Sequence, residues 1–595
     1  RFRTRVSEVR ISSRPAGSPR GASAARSSDE PTGGRKSGGS EGGLAPHLRL
    51  QRAVAERGNA IEYVHDGAGR LVAELRGQAV AAPAWPSCLD PGEPRERRLW
   101  TLDGAGQRTK EKLQRDEGGG GDLWVDHAET SWVYQGRCHL EKTIEAPGRP
   151  EEAVTEYAYD DCAGNLTAVW DPLHPRASHP SQPSTSYAYD ELDRLVAVSQ
   201  PWGGTGGGTV TTAYAYDVQD HLVRVTDGEG NETAYVYSDR DLLTREESPV
   251  SGVTAHAYTE HGELRETTDA RGVTVTRTVD AADRVTFVDY PGTALDRTYT
   301  WGTDPASHTR GRLTAIGNET ASIAYAYDAH GRLVQDGDLL FTHDANGNLS
   351  TVTYPGGLVA SYAHDAMDRE QSLSVQPAGG TAVPVVAGTP GASYRPFGPL
   401  EGLTFGNGLA ELRAHDFRYV PGSISLRQGA SDLFAWEYMS DALGNLIEIT
   451  ETAPEVEWRK FAYQDWQYYL ASASGPWCGE ILWWYDRSGN RTMESRCMAS
   501  FRNYRYQRNA AGGSSPILES VLAKGAPARF YGYDAAGNVS RIETIGEPLV
   551  ALTTDAAGQL GATARGEYGL ALSYDGRGFL RRAEQIGRAS CRERV

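Results

Sequence analysis

A short phrase, Tyr-x-Tyr-Asp-x-x-Gly-[Arg/Asn]-Leu, recurs along the chain as Tyr157 to Leu166, Tyr325 to Leu333 and Tyr531 to Val539. Degenerate copies begin at Tyr187, Tyr214 and Tyr235, and further turns stand at Asp66, Asp344, Asp441, Asp486, Asp555 and Asp575. A unit repeated at fixed spacing that cannot bury its own apolar face must pack on its neighbours. Asp344 to Asp365 is 21 residues, and a second turn often halves that step, as at Asp217, Asp227 and Ser238. Subtracting a four-residue turn leaves strands of about six residues at about 3.3 Å each. The spacing predicts an all-β chain of repeated antiparallel hairpins.

Each residue of the phrase has a mechanical reason. Asp opens the turn by accepting backbone N–H groups, and the Gly three residues later takes the left-handed conformation of a hairpin with a bulge. The pairs expected in these roles are Asp160 and Gly164, Asp328 and Gly331, Asp344 and Gly347, Asp441 and Gly444, Asp486 and Gly489, Asp534 and Gly537, and Asp575 and Gly578. Where Gly is lost, Asp193, Asp220, Asp241, Asp283 or Asp368 replaces it, and Asp tolerates positive φ. The two Tyr at i and i+2 share a face, which predicts a row of aromatic rings stacked from strand to strand.

The formal charge of −18 is spread through the turns, which argues against nucleic acid or an anionic membrane as partner. No apolar run approaches the roughly 20 residues of a membrane helix. Only Leu48 to Ile61 has the pattern of a short helix. Residues 1–48 are Arg-, Ser- and Gly-rich and read as a disordered or non-native segment, and residues 586–595 as an adapter-derived tail. Between them, 49–585 reads as one repeat body: a first series over 49–377, an irregular linker over 378–394 and a second series over 395–585.

These phrases, together with Tyr394-Arg-Pro-Phe-Gly-Pro-Leu and Phe405-Gly-Asn-Gly, resemble the YD-repeat or Rhs-repeat family of bacterial secreted and surface proteins. The resemblance implies a ribbon of antiparallel strands wound spirally into a partial hollow shell, secreted or at the cell surface. It implies a non-catalytic wall that encloses a C-terminal effector lying outside this segment, with secretion-apparatus proteins or cell-surface glycans as further partners. The alternative within the same family is an adhesion or carbohydrate-binding surface protein.

No residue pattern demands catalysis, a cofactor or a metal. Every frequent Asp has a turn explanation, so paired carboxylates do not by themselves indicate a glycosidase. Asp227 to Glu232 lacks calcium-loop spacing and reads as a hairpin turn. His174 and His179 sit in a Pro-rich stretch without Cys or His at metal spacing, and a solvated loop is the expectation. The stretch Trp466 to Trp484 exceeds the aromatic needs of the repeat, and packing is favoured over a sugar platform. Cys478 and Cys497 lie symmetrically about the Asp486 to Gly489 turn, so an unbroken register would oppose them for a disulfide. A bulge at that turn would instead slip the register.

Overall fold

The computed structural model describes residues 49–54, 59–84, 87–89, 95–118, 123–136, 139–160, 163–476 and 479–586. The chain divides into two compact units at Pro46 and His47, and every described residue lies in the second. Among the described residues there is no α-helix, and one 3-10 turn spans Thr293–Leu295. The expected helix at Leu48 to Ile61 is replaced by the strands Arg49–Val54 and Asn59–His65, which pair in register. The cross-strand partner decided the conformation there, overriding a weak local pattern.

The strands form antiparallel ribbons of 29 and 18 members. Most pair with the next in sequence, as Thr209–Tyr216 does with Leu222–Thr226 and that strand with Glu232–Tyr237; Ser87–Leu89 is a side hairpin on Leu71–Ala84, which pairs onward with Glu96–Leu102. The ribbon therefore has two edges. One carries the Tyr-Asp turns and the other carries the connections that halve the repeat. At each Tyr-Asp turn the pairing register shifts by one residue, as between Ala215 and Tyr216 or between Ala326 and Tyr327. This is the bulge that a three-residue hairpin loop closed by a left-handed residue produces.

Strand faces differ. Along Glu457–Tyr463 the Tyr-bearing face is half-buried and the other is exposed, a one-sided pattern repeated in Ser500–Arg508. The ladder passes from the ribbon of 29 strands to the ribbon of 18 within the segment 378–394. Val383–Val386 pairs with Glu370–Gln376 and Val386 bridges to Phe405, while 387–391 loops out before Ser393–Tyr394 pairs with Leu400–Thr404 to open the second ribbon.

Candidate functional site: the turns and the seam they form

The Tyr-Asp turn is built around one carboxylate. Asp328 Oδ1 accepts the N–H groups of His330 and Arg332, both at 2.9 Å, and Asp534 Oδ1 accepts those of Ala536 and Asn538 at 3.0 and 2.9 Å. Asp441, Asp486 and Asp575 do the same, Asp344 Oδ1 accepts the N–H of Asn348, and Asp160 takes Ala163 and Gly164 in a turn one residue longer. Gly164, Gly331, Gly347, Gly444, Gly489, Gly537 and Gly578 all have φ between 78° and 95°. The substituting residues Asp193, Asp220, Asp241, Asp283 and Asp368 lie at 60° to 68°.

The phrase holds more than turn geometry. Its Arg or Asn reaches back to the second carboxylate oxygen: Arg332 Nε donates to Asp328 Oδ2 at 2.7 Å, and Asn490 Nδ2 donates to Asp486 Oδ2 at 3.0 Å. Both side chains present an N–H at that distance, which is why the two types alternate. The second Tyr and the Leu are also paired. Tyr216, Tyr327, Tyr463 and Tyr485 donate their phenol groups to the carbonyls of Leu195, Leu313, Leu446 and Leu470, each the first residue after the preceding turn, at 2.8 to 2.9 Å. Arg194 and Arg369 lie over the rings of Tyr216 and Tyr394, 5.0 and 4.8 Å from the centroids. The expected row of stacked rings is corrected at Tyr216, Tyr327 and Tyr394, where the preceding turn's Arg occupies the ring face, whereas Tyr485 packs against the Tyr469 ring at 5.1 Å between centroids.

Asp in the left-handed position adds a lateral bond that Gly lacks. Asp220 accepts from Arg194 at 2.8 Å, Asp193 from Asn165 at 2.8 Å, and Asp241 meets His221 at 3.0 Å. No feature of a single repeat signals this; it requires knowing that the donor lies one hairpin away.

The ribbon also lies back upon itself. The edge opposite the Tyr-Asp turns, over residues 59 to 336, meets the Tyr-Asp turns of residues 365 to 577. Asn59 Nδ2 donates to Asp368 across a separation of 309 residues, and Arg577 Nη1 donates to Asp336 at 2.6 Å across 241. Between these ends, Glu96, Glu151 and Glu229 accept the backbone N–H groups of Phe397, Phe417 and Arg487 at 2.9, 3.0 and 2.8 Å. Arg271 donates to the carbonyl of Asp555 at 2.9 Å, and Asn318 to that of Tyr574 at 2.9 Å. Carboxylates thus cap the turns of the next wrap, where charge-assisted hydrogen bonds are stronger than neutral ones.

The seam buries His174. Its Nε2 is 2.7 Å from Asp465 Oδ1, and its Nδ1 is 3.2 Å from Asp171 Oδ1 and 3.0 Å from the Tyr468 hydroxyl. Its ring stacks on Trp466 at 3.7 Å between centroids. Burial, then the hydrogen bond to Asp171, pushes the Tyr468 phenol well above its ordinary range. The expected solvated loop is corrected for His174, which is buried because the second wrap covers it. Trp466 takes φ of 68° to reach this position, a left-handed conformation that a bulky residue adopts only when its surroundings hold it. Nearby, Trp202, Tyr463, Trp483, Trp484 and Tyr485 line a cavity of about 590 Å³ with Asp465 on its rim.

At the Asp486 turn the register slips. Trp484 pairs with Met493 and Ile481 with Arg496, so the N–H of Cys497 bonds the carbonyl of Glu480. The expected direct opposition of Cys478 and Cys497 is therefore corrected by the bulge. Cys497 is disulfide-bonded, and Cys478 lies outside the described residues.

The family model of the RHS repeat matches residues 343–382. No curated protein matches the chain. Among solved structures, the chain is similar to TcdB2-TccC3-TEV, with a TM-score of 0.64 at 15% identity over 89% of this chain and 32% of that one. The same assembly without its hypervariable C-terminal region gives 0.63 at 16% identity over 91% and 32%. The Photorhabdus luminescens Tc holotoxin pore carrying a TccC3 mutation gives 0.59 at 15% identity over 88% and 32%. The chain thus spans about a third of the length of the chains it matches. The chain carries an RHS repeat at residues 343–382 and shares the fold of these neighbours.

Proposed function

We propose that this chain is a wall segment of a secreted, toxin-type Rhs shell, non-catalytic in itself, that encloses an effector encoded C-terminal to it. The observation that carries the reading is the seam. A ribbon whose two edges recognise each other side by side builds a continuous wall rather than a groove for a substrate, and its recurrent carboxylates are used in turns and seam bonds. The similar solved structures are Tc toxin assemblies. The test is limited proteolysis of the intact reading frame that continues this sequence. The downstream segment should survive protease that digests the same segment expressed alone, and equal digestion would overturn enclosure.

A second reading, a carbohydrate-binding surface protein, is favoured by the aromatic cavity at Trp202, Trp483 and Trp484. Tryptophan fluorescence titration with a panel of neutral oligosaccharides would separate the two, since a plain wall should show no saturable change. An exported protein folds in an oxidising compartment, which suits a disulfide at Cys497. We propose Cys478 as its partner, to be checked by peptide mapping without reduction.

A further inference from the structure

The strand Ser431–Ser440 ends in an altered copy of the phrase, Tyr438-Met439-Ser440-Asp441, in which serine stands where the second Tyr belongs. Its register is that of the intact copies. Ser440 pairs with Leu446 after a one-residue shift, as Tyr216 pairs with Leu222 and Tyr327 with Leu333. In those copies the ring crosses to the preceding hairpin, and its phenol donates to the carbonyl of the first residue after that turn. The corresponding residue here is Pro421, which opens the strand Pro421–Gln428. Serine ends at Oγ, where tyrosine places its first ring carbon, so the side chain at 440 leaves the way to Pro421 unfilled.

That space is open. A cavity of about 470 Å³ is lined by Val420, Pro421, Ile424, Tyr438, Ser440 and Leu446, among others. A second, of about 310 Å³, shares Val420, Pro421, Tyr438 and Ser440 with it, so the two adjoin at the residue that lacks the ring. Where Arg194 caps the ring of Tyr216, the preceding turn here carries Val420, and the cap position is apolar. His415 stands in the second-Tyr position one hairpin earlier and lines the same cavity. Its Nδ1 is buried with no hydrogen-bond partner among the described residues, which is unfavourable for an empty cavity. Burial, then the charge of Arg395, holds the pKa of His415 below the ordinary 6.5, so the wall offers a neutral ring nitrogen. A missing ring alone makes no site, since Val279 and Thr554 also stand in this position. At Ser440 it comes with an open cavity and a buried nitrogen that lacks a partner.

We propose that this cavity binds a small phenol, whose ring takes the place of the absent Tyr and whose hydroxyl donates to the Pro421 carbonyl. The repeat defines the occupant, because it places that ring and that bond at Tyr216, Tyr327, Tyr463 and Tyr485. A volume of about 470 Å³ exceeds the roughly 150 Å³ that takes benzene and lies within the roughly 300–1,000 Å³ of small-molecule sites. The remaining room and the His415 nitrogen favour a phenol with a second polar substituent. The site depends on the repeat alone and holds whether or not the wall encloses an effector.

The test is calorimetric titration of the full chain with p-cresol, which is the side chain of tyrosine, and with its isomer o-cresol. The isomers have the same atoms, so a difference between them reads the placement of the hydroxyl on the ring. p-Cresol should bind saturably and about threefold or more tighter than o-cresol, the effect of one well-placed hydrogen bond. Ser440→Tyr should weaken that binding about tenfold or more and raise the thermal midpoint, because it restores the ring and fills the cavity. Thr554→Tyr adds the same ring outside the cavity and should leave binding unchanged. Absence of saturable binding would overturn the proposal, as would equal affinity for the two cresols, which marks unspecific partitioning. Undiminished binding by Ser440→Tyr, or an equal loss in Thr554→Tyr, would place the ligand elsewhere. A lowered midpoint in Ser440→Tyr would also overturn it, since the open space would then not have the shape of the ring.

Discussion

The Tyr-Asp turns at 190 to 283 and those at 365 to 577 share one grammar and meet different fates. Most turns in both sets are held by an Asp carboxylate and a left-handed residue, yet the first set faces solvent and the second inserts into the opposite edge of the preceding wrap. Their tips overlap in composition, Ala281-Ala282 standing at a free turn and Ala535-Ala536 at a docked one, and the two sets differ in which wrap they occupy. Val218 is 99% exposed at a free tip, and Trp466 is buried at a docked one. Local grammar makes the hairpin, and its place in the wrap decides whether it docks.

Substitution at the tips should break this comparison most sharply. Trp466→Ala removes a buried indole stacked on His174, for which large-to-small changes lose about 3–5 kcal/mol. Val218→Ala should stay within about 0.5 kcal/mol, as surface changes do. Urea denaturation of both variants tests the pair, and similar midpoints would mean that the seam does not exist in solution.

Glycine sharpens it next. Gly347 and Gly537 both sit in left-handed turns, at φ of 95° and 78°. An alanine at either incurs about 1–2 kcal/mol of backbone strain. At Gly537 the added Cβ would also stand 2.5 Å from the carbonyl oxygen of Val250 across the seam, whereas at Gly347 the nearest atom is a flexible Arg332 nitrogen at 3.6 Å. Overpacking against backbone adds about 1–3 kcal/mol. Gly537→Ala should therefore lower the thermal midpoint clearly further than Gly347→Ala, and an equal shift would place both turns in solvent.

These contrasts also mark what a sequence of this kind displays. The all-β class, the hairpin step and the turn carboxylates were legible because each depends on residues four or five positions apart. The Tyr216-to-Leu195 bond and the Arg194 cap on Tyr216 were not, since they join residues about 21 positions apart whose alignment depends on the bulge in each turn. The seam was further out of reach, because partners separated by 241 to 309 residues are set by how many strands complete a wrap. His174 shows the consequence: its Pro-rich surroundings read as a loop, and only the covering turn at Asp465 buries it. The register at Cys497 lies two residues from the one that symmetry about the Asp486 turn predicts, for a local reason, the wider loop and the bulge at that turn.

A smaller effect tests the carboxylate caps. Glu229 accepts the N–H of Arg487 at 2.8 Å through one oxygen and that of Ser514 at 3.1 Å through the other. Glu229→Gln leaves one acceptor and turns an amide N–H₂ toward a donor, which should lose about 1–2 kcal/mol. Glu191→Gln, at an exposed free tip, should change nothing measurable. Equal effects in chemical denaturation would show that the acidic residues of the two edges are interchangeable.

The smallest effect lies on the free rim itself. His221 fills the position that Arg194 fills one hairpin earlier, with Nδ1 at 3.0 Å from Asp217 Oδ2 and Nε2 at 3.0 Å from Asp241 Oδ1. Its ring stacks on Tyr237 at 4.6 Å. The hydrogen bond to Asp217 raises its pKa above the ordinary 6.5, opposed by partial desolvation and reinforced by the charges of Asp217 and Asp241. A group whose pKa is higher in the folded state stabilises it fully below the unfolded value, and that contribution disappears as pH rises through the folded value. The rim between the turns at Asp217 and Ser238 should thus loosen as pH climbs from about 6.5 through the raised value. An NMR titration of the His221 ring should give a midpoint above 6.5, and Asp241→Asn should bring it down. His221→Arg should keep both carboxylate contacts and remove the pH dependence, because a guanidinium stays charged throughout this range. A midpoint at or below 6.5 would show that the lateral bond to Asp241 is absent in solution, and that left-handed Asp residues serve turn geometry alone.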